Sequence, residues 1–322
     1  MSPCMTTSDA PRVTLGPSDL SVSPLSLGGN VFGWTADEAQ SFAVLDAYAA
    51  AGGNFVDTAD VYSAWAPGNS GGESETVIGN WLRSRGNREQ IVIATKAGMA
   101  PGLDNLRRDT VRRAVDGSLR RLGVERIDLF YTHRDDPDTP VEEIVTTLDE
   151  LVREGKVREV AASNIGAERL AASLEFAARE GLARYVAVQP HYNLVSRDTY
   201  EGPLAETAAA HGLSAVPYYA LASGFLTGKY RPGAQVDSAR AQGAGRYLDE
   251  PRGLRVLAAL DEVAAAHGVE VATAALAWLA SRPTVAAPLA SARTVEQLPP
   301  LLAALTLRLT EVELKLLDGA SD

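Results

Sequence analysis

The sequence predicts a TIM-type (β/α)8 barrel with a hairpin plugging its N-terminal end and a long loop after the seventh strand. Three observations carry that expectation. Short apolar runs alternate with longer amphipathic stretches; the unit recurs at roughly 30 to 35 residues without a sequence repeat; and no glycine fingerprint for a dinucleotide follows the first strand. A chain of 322 residues is long enough to bury such a core.

The strand runs, in order, are LSLGGN (25–30), NFVDTA (54–59), IVIATKAG (91–98), IDLFYTH (127–133), VREVAASN (157–164), YVAVQP (185–190), SAVPYYA (214–220) and VAAPLAS (285–291). Helical patterns lie between them: Ala36 to Ala51 stops at Gly52, and RDTVRRAVDGSLRRLG stops at Gly123, each glycine in a C-cap position. Eight parallel strands, each followed by a helix, close into a barrel more readily than they spread as an open sheet. The open sheet would need G-x-G-x-x-G spacing, and LSLGGNVFGW lacks it. Two stretches stand outside the repeat. RVTLGPSDLSV (12–22) has a Gly-Pro turn between two short alternating runs and is the expected plug. Leu221 to Glu250, rich in Gly, Arg and Tyr, is a loop long enough to have a function. No linker divides the chain, so residues 13–322 are expected to form a single domain behind a disordered tail, 1–12.

Composition excludes several classes. With 30 basic against 41 acidic residues the net charge is −11, and no basic run offsets it, so neither nucleic acid nor an anionic membrane surface is an expected partner. A single cysteine, Cys4, rules out an internal disulfide framework and a cysteine-rich metal site, and no metal is expected. No signal-peptide core and no run of eighteen apolar residues is present, so a cytoplasmic location is expected. The oligomeric state is unreadable.

In barrels of this kind the chemistry sits at the C-terminal ends of the strands. The second strand ends near Asp57 with Tyr62 just beyond, the third ends at Lys96, and the fourth at His133. Each has an ordinary structural explanation: a cap, a rim aromatic, a snorkelling lysine, a satisfied core histidine. Four such groups delivered to one rim by consecutive strands point instead to a site.

With these residues in place, the sequence resembles the aldo-keto reductase family over roughly residues 20–318. The resemblance is carried by FVDTADVYS, GGESETVIGNWL, IATKAG, DLFYTH, AASNIG, VQPHYNL, GFLTGKYRPG and ALAWLASRP. It implies a nicotinamide-dependent carbonyl reductase, usually NADPH-preferring, with an Asp, Tyr, Lys, His tetrad at Asp57, Tyr62, Lys96 and His133. Carbonyl reduction needs hydride at carbon and a proton at oxygen. A phenol is a weak acid at neutral pH. Lys96 is expected to lower the pKa of Tyr62 and so ease proton release, Asp57 to hold Lys96 charged, and His133 to orient the carbonyl.

The same resemblance assigns the cofactor. Ser163, Asn164 and Gln189 are expected at the nicotinamide carboxamide, together with Asp57, and Tyr218 on the ring face; Gly29, Asn30, Leu221 and Gly224 join the cofactor set. Tyr219, where the family often has Ser, is expected on the opposite side of a strand from Tyr218. Lys229, with Arg240, is expected to neutralise the pyrophosphate. Ser291, Arg293 and Gln297 are expected to meet the 2′-phosphate at a helix N-terminus. Pro300 and Leu301 depart from the family pattern, which has Glu and Asn at the adenine. Trp34 and Trp65 serve equally as substrate walls or as packing. An aldehyde, a ketone, an open-chain sugar or a small aromatic carbonyl all suit such a site. Two other readings remain: a non-catalytic, nicotinamide-sensing regulatory subunit, and a Schiff-base aldolase using Lys96, disfavoured because Asp57 would raise the lysine's pKa.

Overall fold

The computed structural model describes residues 10–238 and 241–322. The chain opens with a hairpin, β1 (Val13–Thr14) antiparallel to β2 (Ser21–Val22), as the Gly-Pro turn requires. Its tip is driven into the barrel floor: Leu15, Leu20 and Val22 pack with Phe55, Ala94, Leu129, Ala161 and Ala287 in one buried cluster. At Gly16 the φ of +48° and a virtual Cβ only 2.1 Å from the Val186 carbonyl oxygen admit no other residue without strain.

Eight parallel strands follow: β3 (Ser26–Gly28), β4 (Phe55–Asp57), β5 (Val92–Ala97), β6 (Ile127–Thr132), β7 (Val157–Ser163), β8 (Tyr185–Gln189), β9 (Ser214–Ala215) and β10 (Leu289–Ala290). From β3 to β9 each strand pairs with the next in sequence, and β10 returns to pair with β3. The seam between β9 and β10 is closed by an Ala215–Val285 bridge and by Leu289 N–H donating to the Pro217 carbonyl at 2.9 Å. These last two strands are shorter than the sequence runs because Pro217 and Pro288 have no N–H to give a ladder. Their carbonyls still serve, Pro288 accepting from Ser26 N–H at 2.9 Å.

Between the strands lie α1 (Glu38–Ala50), α2 (Glu73–Arg85), α3 (Arg108–Leu122), α4 (Val141–Arg153), α5 (Ala167–Glu180) and α6 (Pro203–Ala210). A capping box, Asp37 with Gln40, fixes the start of α1. The stretch after β9 holds a 3-10 turn (Ala222–Thr227), the short α7 (Ala241–Gly245) and a second 3-10 turn (Arg246–Leu248). It leads into α8 (Pro251–His267) and α9 (Val271–Ala280). After β10 come α10 (Leu298–Ala303) and α11 (Glu311–Ser321). Among the described residues no single helix is long and apolar enough to cross a membrane.

Two apolar layers result. The larger lies between sheet and helices, with Val56, Ile93, Phe130, Val160 and Val188 facing outward. The smaller fills the barrel, with Phe55, Ala94, Tyr131, Ala161 and Ala187 facing inward. Side chains two residues apart on a strand share a face. Asp57, Lys96, His133, Ser163 and Gln189 therefore share the inward parity of those five residues, each one step nearer the C-terminal rim.

Candidate active site

That parity brings Asp57, Lys96 and His133 together, and the loop after β4 carries Tyr62 to them. Lys96 is wholly buried, as is Asp57. Its ammonium donates to Asp57 Oδ1 at 2.5 Å, to the Thr58 carbonyl at 2.8 Å and to Tyr62 Oη at 2.8 Å. A carboxylate and a carbonyl only accept, so an ammonium with three N–H groups is the form that satisfies all three. Tyr62 Oη also donates weakly to Asp57 Oδ1 at 3.4 Å, and Gln189 Nε2 donates to Asp57 Oδ2 at 2.9 Å. His133 is held by its main chain, its N–H donating to the Ala97 carbonyl at 2.8 Å, and its ring lies 5.9 Å from that of Tyr62.

Burial dominates the electrostatics here. It pushes the Tyr62 phenol well above its ordinary pKa, and the Asp57 charge adds to that rise. The expected lowering of the Tyr62 pKa by Lys96 is therefore corrected: at rest the phenol is firmly protonated, and the contact with Lys96 does not outweigh lost hydration. Burial likewise pushes Lys96 down, with Asp57 pulling it back up, so the carboxylate does not set the net direction. Asp57 is pushed up by burial and pulled down by Lys96. His133 is driven well below 6.5 by burial and by the charges of Lys96 and Arg134. It is a neutral imidazole at physiological pH, and its Nδ1 is buried with no hydrogen-bond partner among the described residues.

The neighbouring strand ends form a second polar group. Asn164 sits at a φ of +50°, a conformation Asn tolerates better than most residues. Its amide donates to the His133 carbonyl at 2.8 Å and accepts from Tyr218 Oη at 2.7 Å. Ser163 Oγ donates to the Gln189 carbonyl at 2.9 Å. Gly29 N–H donates to the Asp57 carbonyl at 2.7 Å, and Asn30 Oδ1 accepts from Ser291 Oγ at 2.6 Å, which ties the first strand end to the last.

The sequence model of the Aldo/keto reductase family matches residues 24–322. The chain belongs to the aldo/keto reductase family. It is an oxidoreductase of that family, which generally binds NAD(P)H and acts on small-molecule carbonyl compounds. It is 33% identical to Protein tas of Escherichia coli (strain K12), over 91% of this chain and 92% of that protein. It is 33% identical to Aldo-keto reductase ausK of Aspergillus calidoustus, over 97% of this chain and 82% of that protein. It is 34% identical to a probable voltage-gated potassium channel subunit beta of Oryza sativa subsp. japonica, over 88% of each.

Elsewhere on this aldo/keto reductase rim the sequence expectations fare unevenly. Tyr218 and Tyr219 do not take opposite sides of a strand. The strand has ended, Tyr219 lies at a φ of +53°, and the two rings sit 5.1 Å apart. Leu221 precedes, and Gly224 ends, a run of left-handed backbone, with φ of 47° at Ala222, 59° at Ser223 and 95° at Gly224. Lys229 is exposed, its ammonium 5.0 Å from the centre of the Tyr230 ring. Arg240 lies outside the described residues. Ser291 and Arg293 precede a 3-10 turn (Val295–Gln297) that leads into α10, Gln297 is the last residue of that turn, and its Oε1 is occupied by the Arg293 main-chain N–H at 2.8 Å. Leu301 is buried in the core, and the Pro300 carbonyl accepts from Thr273 Oγ1 at 2.8 Å. Trp34 and Trp65 meet edge to face at 5.6 Å, and Trp65 lies 6.0 Å from Tyr62, half exposed. Sequence reasoning missed His191, which stacks on Tyr218 at 5.5 Å, although VQPHYNL places it two residues past Gln189. It also passed over the Thr58 carbonyl, which carries no side-chain signal.

Proposed function

We propose that the chain, acting as one barrel domain, reduces an aldehyde or ketone to an alcohol with NADPH, Tyr62 supplying the proton. The observation that carries this reading is the single buried ammonium of Lys96 held at 2.5 Å from Asp57 and 2.8 Å from Tyr62 Oη. The reduced nicotinamide, when bound, supplies a hydride equivalent to the carbonyl carbon. Everything else falls to the protein. A phenol protonated at rest does not ionise before substrate arrives. As charge builds on the carbonyl oxygen, that oxygen becomes a stronger base than a phenolate, and Tyr62 gives up its proton. Lys96, already hydrogen-bonded to the phenol oxygen, then stabilises the charge left there. Neutral His133 can hydrogen-bond the same carbonyl and fix its direction without competing as an acid.

The rim suits such a cofactor. Asn164, Ser163 and Gln189 offer amide and hydroxyl groups beside the tetrad, and Tyr218 offers a ring face. The left-handed run at 222–224 ends in Gly224, where a ligand could approach the backbone with no side chain in the way. Lys229 and Arg293, with Ser291 and Gln297, supply positive charge and hydrogen bonds to phosphates on an otherwise acidic protein. Pro300 and Leu301 offer no side-chain hydrogen bonds to adenine. Trp34, Trp65 and Tyr62 make an aromatic wall, which supports a carbonyl on a planar apolar frame over an open-chain sugar.

The second reading is a non-catalytic, nicotinamide-sensing regulatory subunit, which the similarity to a probable channel subunit supports in its regulatory part alone. The aldolase reading loses support for a geometric reason: Lys96 Nζ has no exposed surface and three oxygen partners, so no carbonyl carbon can reach it. A panel of carbonyl compounds, followed by loss of reduced-cofactor absorbance, tests the proposal. Sustained turnover with an aryl aldehyde is the expected result. Tight NADPH binding without turnover on any member would favour the sensing role.

A further inference from the structure

One buried carboxyl close to the tetrad has no part in the chemistry above. Asp60 is 4% exposed, and among the described residues neither of its carboxyl oxygens makes a hydrogen bond of ordinary geometry, the adjacent Val61 main-chain N–H being a donor that still acts on it. Buried carboxylates are ordinarily paired or hydrogen-bonded, so an unpartnered one needs an explanation. Its place is fixed by the chain: Asp60 N–H donates to the carbonyl of Lys96 itself at 3.1 Å. The groups that act on it come from each element around it. From α2 comes Glu75, fully buried, accepting from Thr95 Oγ1 at 2.6 Å and from Arg121 Nε at 2.6 Å. From α3 comes Arg121, and from β5 comes Lys96, with Asp57 of β4 bonded behind it.

We propose that Asp60 is a positioning residue for proton donation, acting through Lys96. The inference rests on the reductase reading given above. Lys96 has spent its three N–H groups on Asp57, Thr58 and Tyr62, so Asp60 cannot bond to it and acts only through its charge. When Asp60 carries its proton, the positive field of Lys96 at the Tyr62 oxygen is opposed by Asp57 alone, and the phenolate left by proton transfer is better stabilised. When Asp60 ionises, a second negative charge opposes that field and proton donation slows. Burial and the charge of Glu75 hold the Asp60 carboxyl up at about 7, so the change falls in the physiological range. Tyr62 is held well above that range and His133 well below it.

The test is kcat against pH from 6 to 9 for wild type and Asp60→Asn, with saturating NADPH and an aryl aldehyde. Wild type is expected to fall about three- to tenfold as pH rises through neutrality, the scale set by one buried unit charge in the neighbourhood of another. Asp60→Asn is expected to hold its low-pH rate throughout, with KM unchanged. Glu75→Gln, which removes the charge and keeps one of the two acceptor oxygens, is expected to move the inflection to lower pH, and it serves as the test should Asp60→Asn fold poorly. Superimposable profiles for wild type and Asp60→Asn, or an inflection unmoved in Glu75→Gln, would overturn the assignment while leaving the reductase reading intact. A wild-type enzyme that turns over no carbonyl would overturn that reading and this one with it.

Discussion

Replacing Lys96 by methionine keeps the volume of the stem and deletes the ammonium. Asp57 is then left wholly buried, with Gln189 Nε2 at 2.9 Å and the Tyr62 hydroxyl at 3.4 Å. Breaking a buried pair by removing one partner costs about 3–5 kcal/mol, because an uncompensated charge remains. At about 2.1 cal/mol/K of unfolding entropy per residue, a chain of 322 residues loses roughly 4–7 °C of melting temperature for that cost. The pH dependence has a definite sign. In the folded variant the carboxyl of Asp57, already pushed up by burial, loses the lysine that pulled it down, while in the unfolded chain it is ordinary. An acid with a raised folded pKa contributes a penalty that grows as pH rises above the unfolded value, so the deficit is expected to be greatest on the alkaline side and relieved toward pH 5. The double variant Lys96→Met/Asp57→Asn should recover about 1–3 kcal/mol relative to additivity. Thermal unfolding followed by circular dichroism between pH 5 and 9 reads all of this. A deficit below 2 °C, or one independent of pH, would refute the reasoning that the pair is mutually required.

Arg293→Ala is expected to weaken NADPH by roughly 10- to 100-fold, the worth of about 1.5–3 kcal/mol for hydrogen bonds to a charged group, and to leave NADH nearly unchanged; fluorescence titration with each cofactor compares the two. Gly16→Val forces a left-handed valine against the Val186 carbonyl and should cost about 2–4 kcal/mol in urea unfolding, while kcat at 25 °C stays as in wild type because the hairpin lies at the far end of the barrel.

The alternation of strand and helix made the barrel legible, and the hairpin was legible from a Gly-Pro turn flanked by alternating residues. Three of the four residues could be aligned by parity alone, since period-two geometry sends Asp57, Lys96 and His133 inward with Phe55, Ala94 and Tyr131, whereas Tyr62 lies in the loop after β4. What escaped depends on three-dimensional closure. The shortening of the last two strands follows from Pro217 and Pro288, which the apolar pattern around them masked. The direction of the Tyr62 shift depends on how completely water is excluded, which no local pattern reports. Tyr219 read as a strand residue because its left-handed turn carries no glycine. Asp60, in the middle of DTADVYSAW, looked like one more polar loop residue, and only its neighbours on α2 and α3 reveal it as an unpartnered buried acid.

The central claim is that the Tyr62 hydroxyl, held by Lys96, delivers the proton during carbonyl reduction. Tyr62→Phe, compared with wild type for NADPH affinity by fluorescence and for turnover of an aryl aldehyde at pH 7, tests it most directly. Cofactor affinity is expected within about twofold of wild type, with a loss of turnover of roughly 10²- to 10⁴-fold, the usual worth of a general acid. A phenylalanine variant that reduces the aldehyde at the wild-type rate would contradict it.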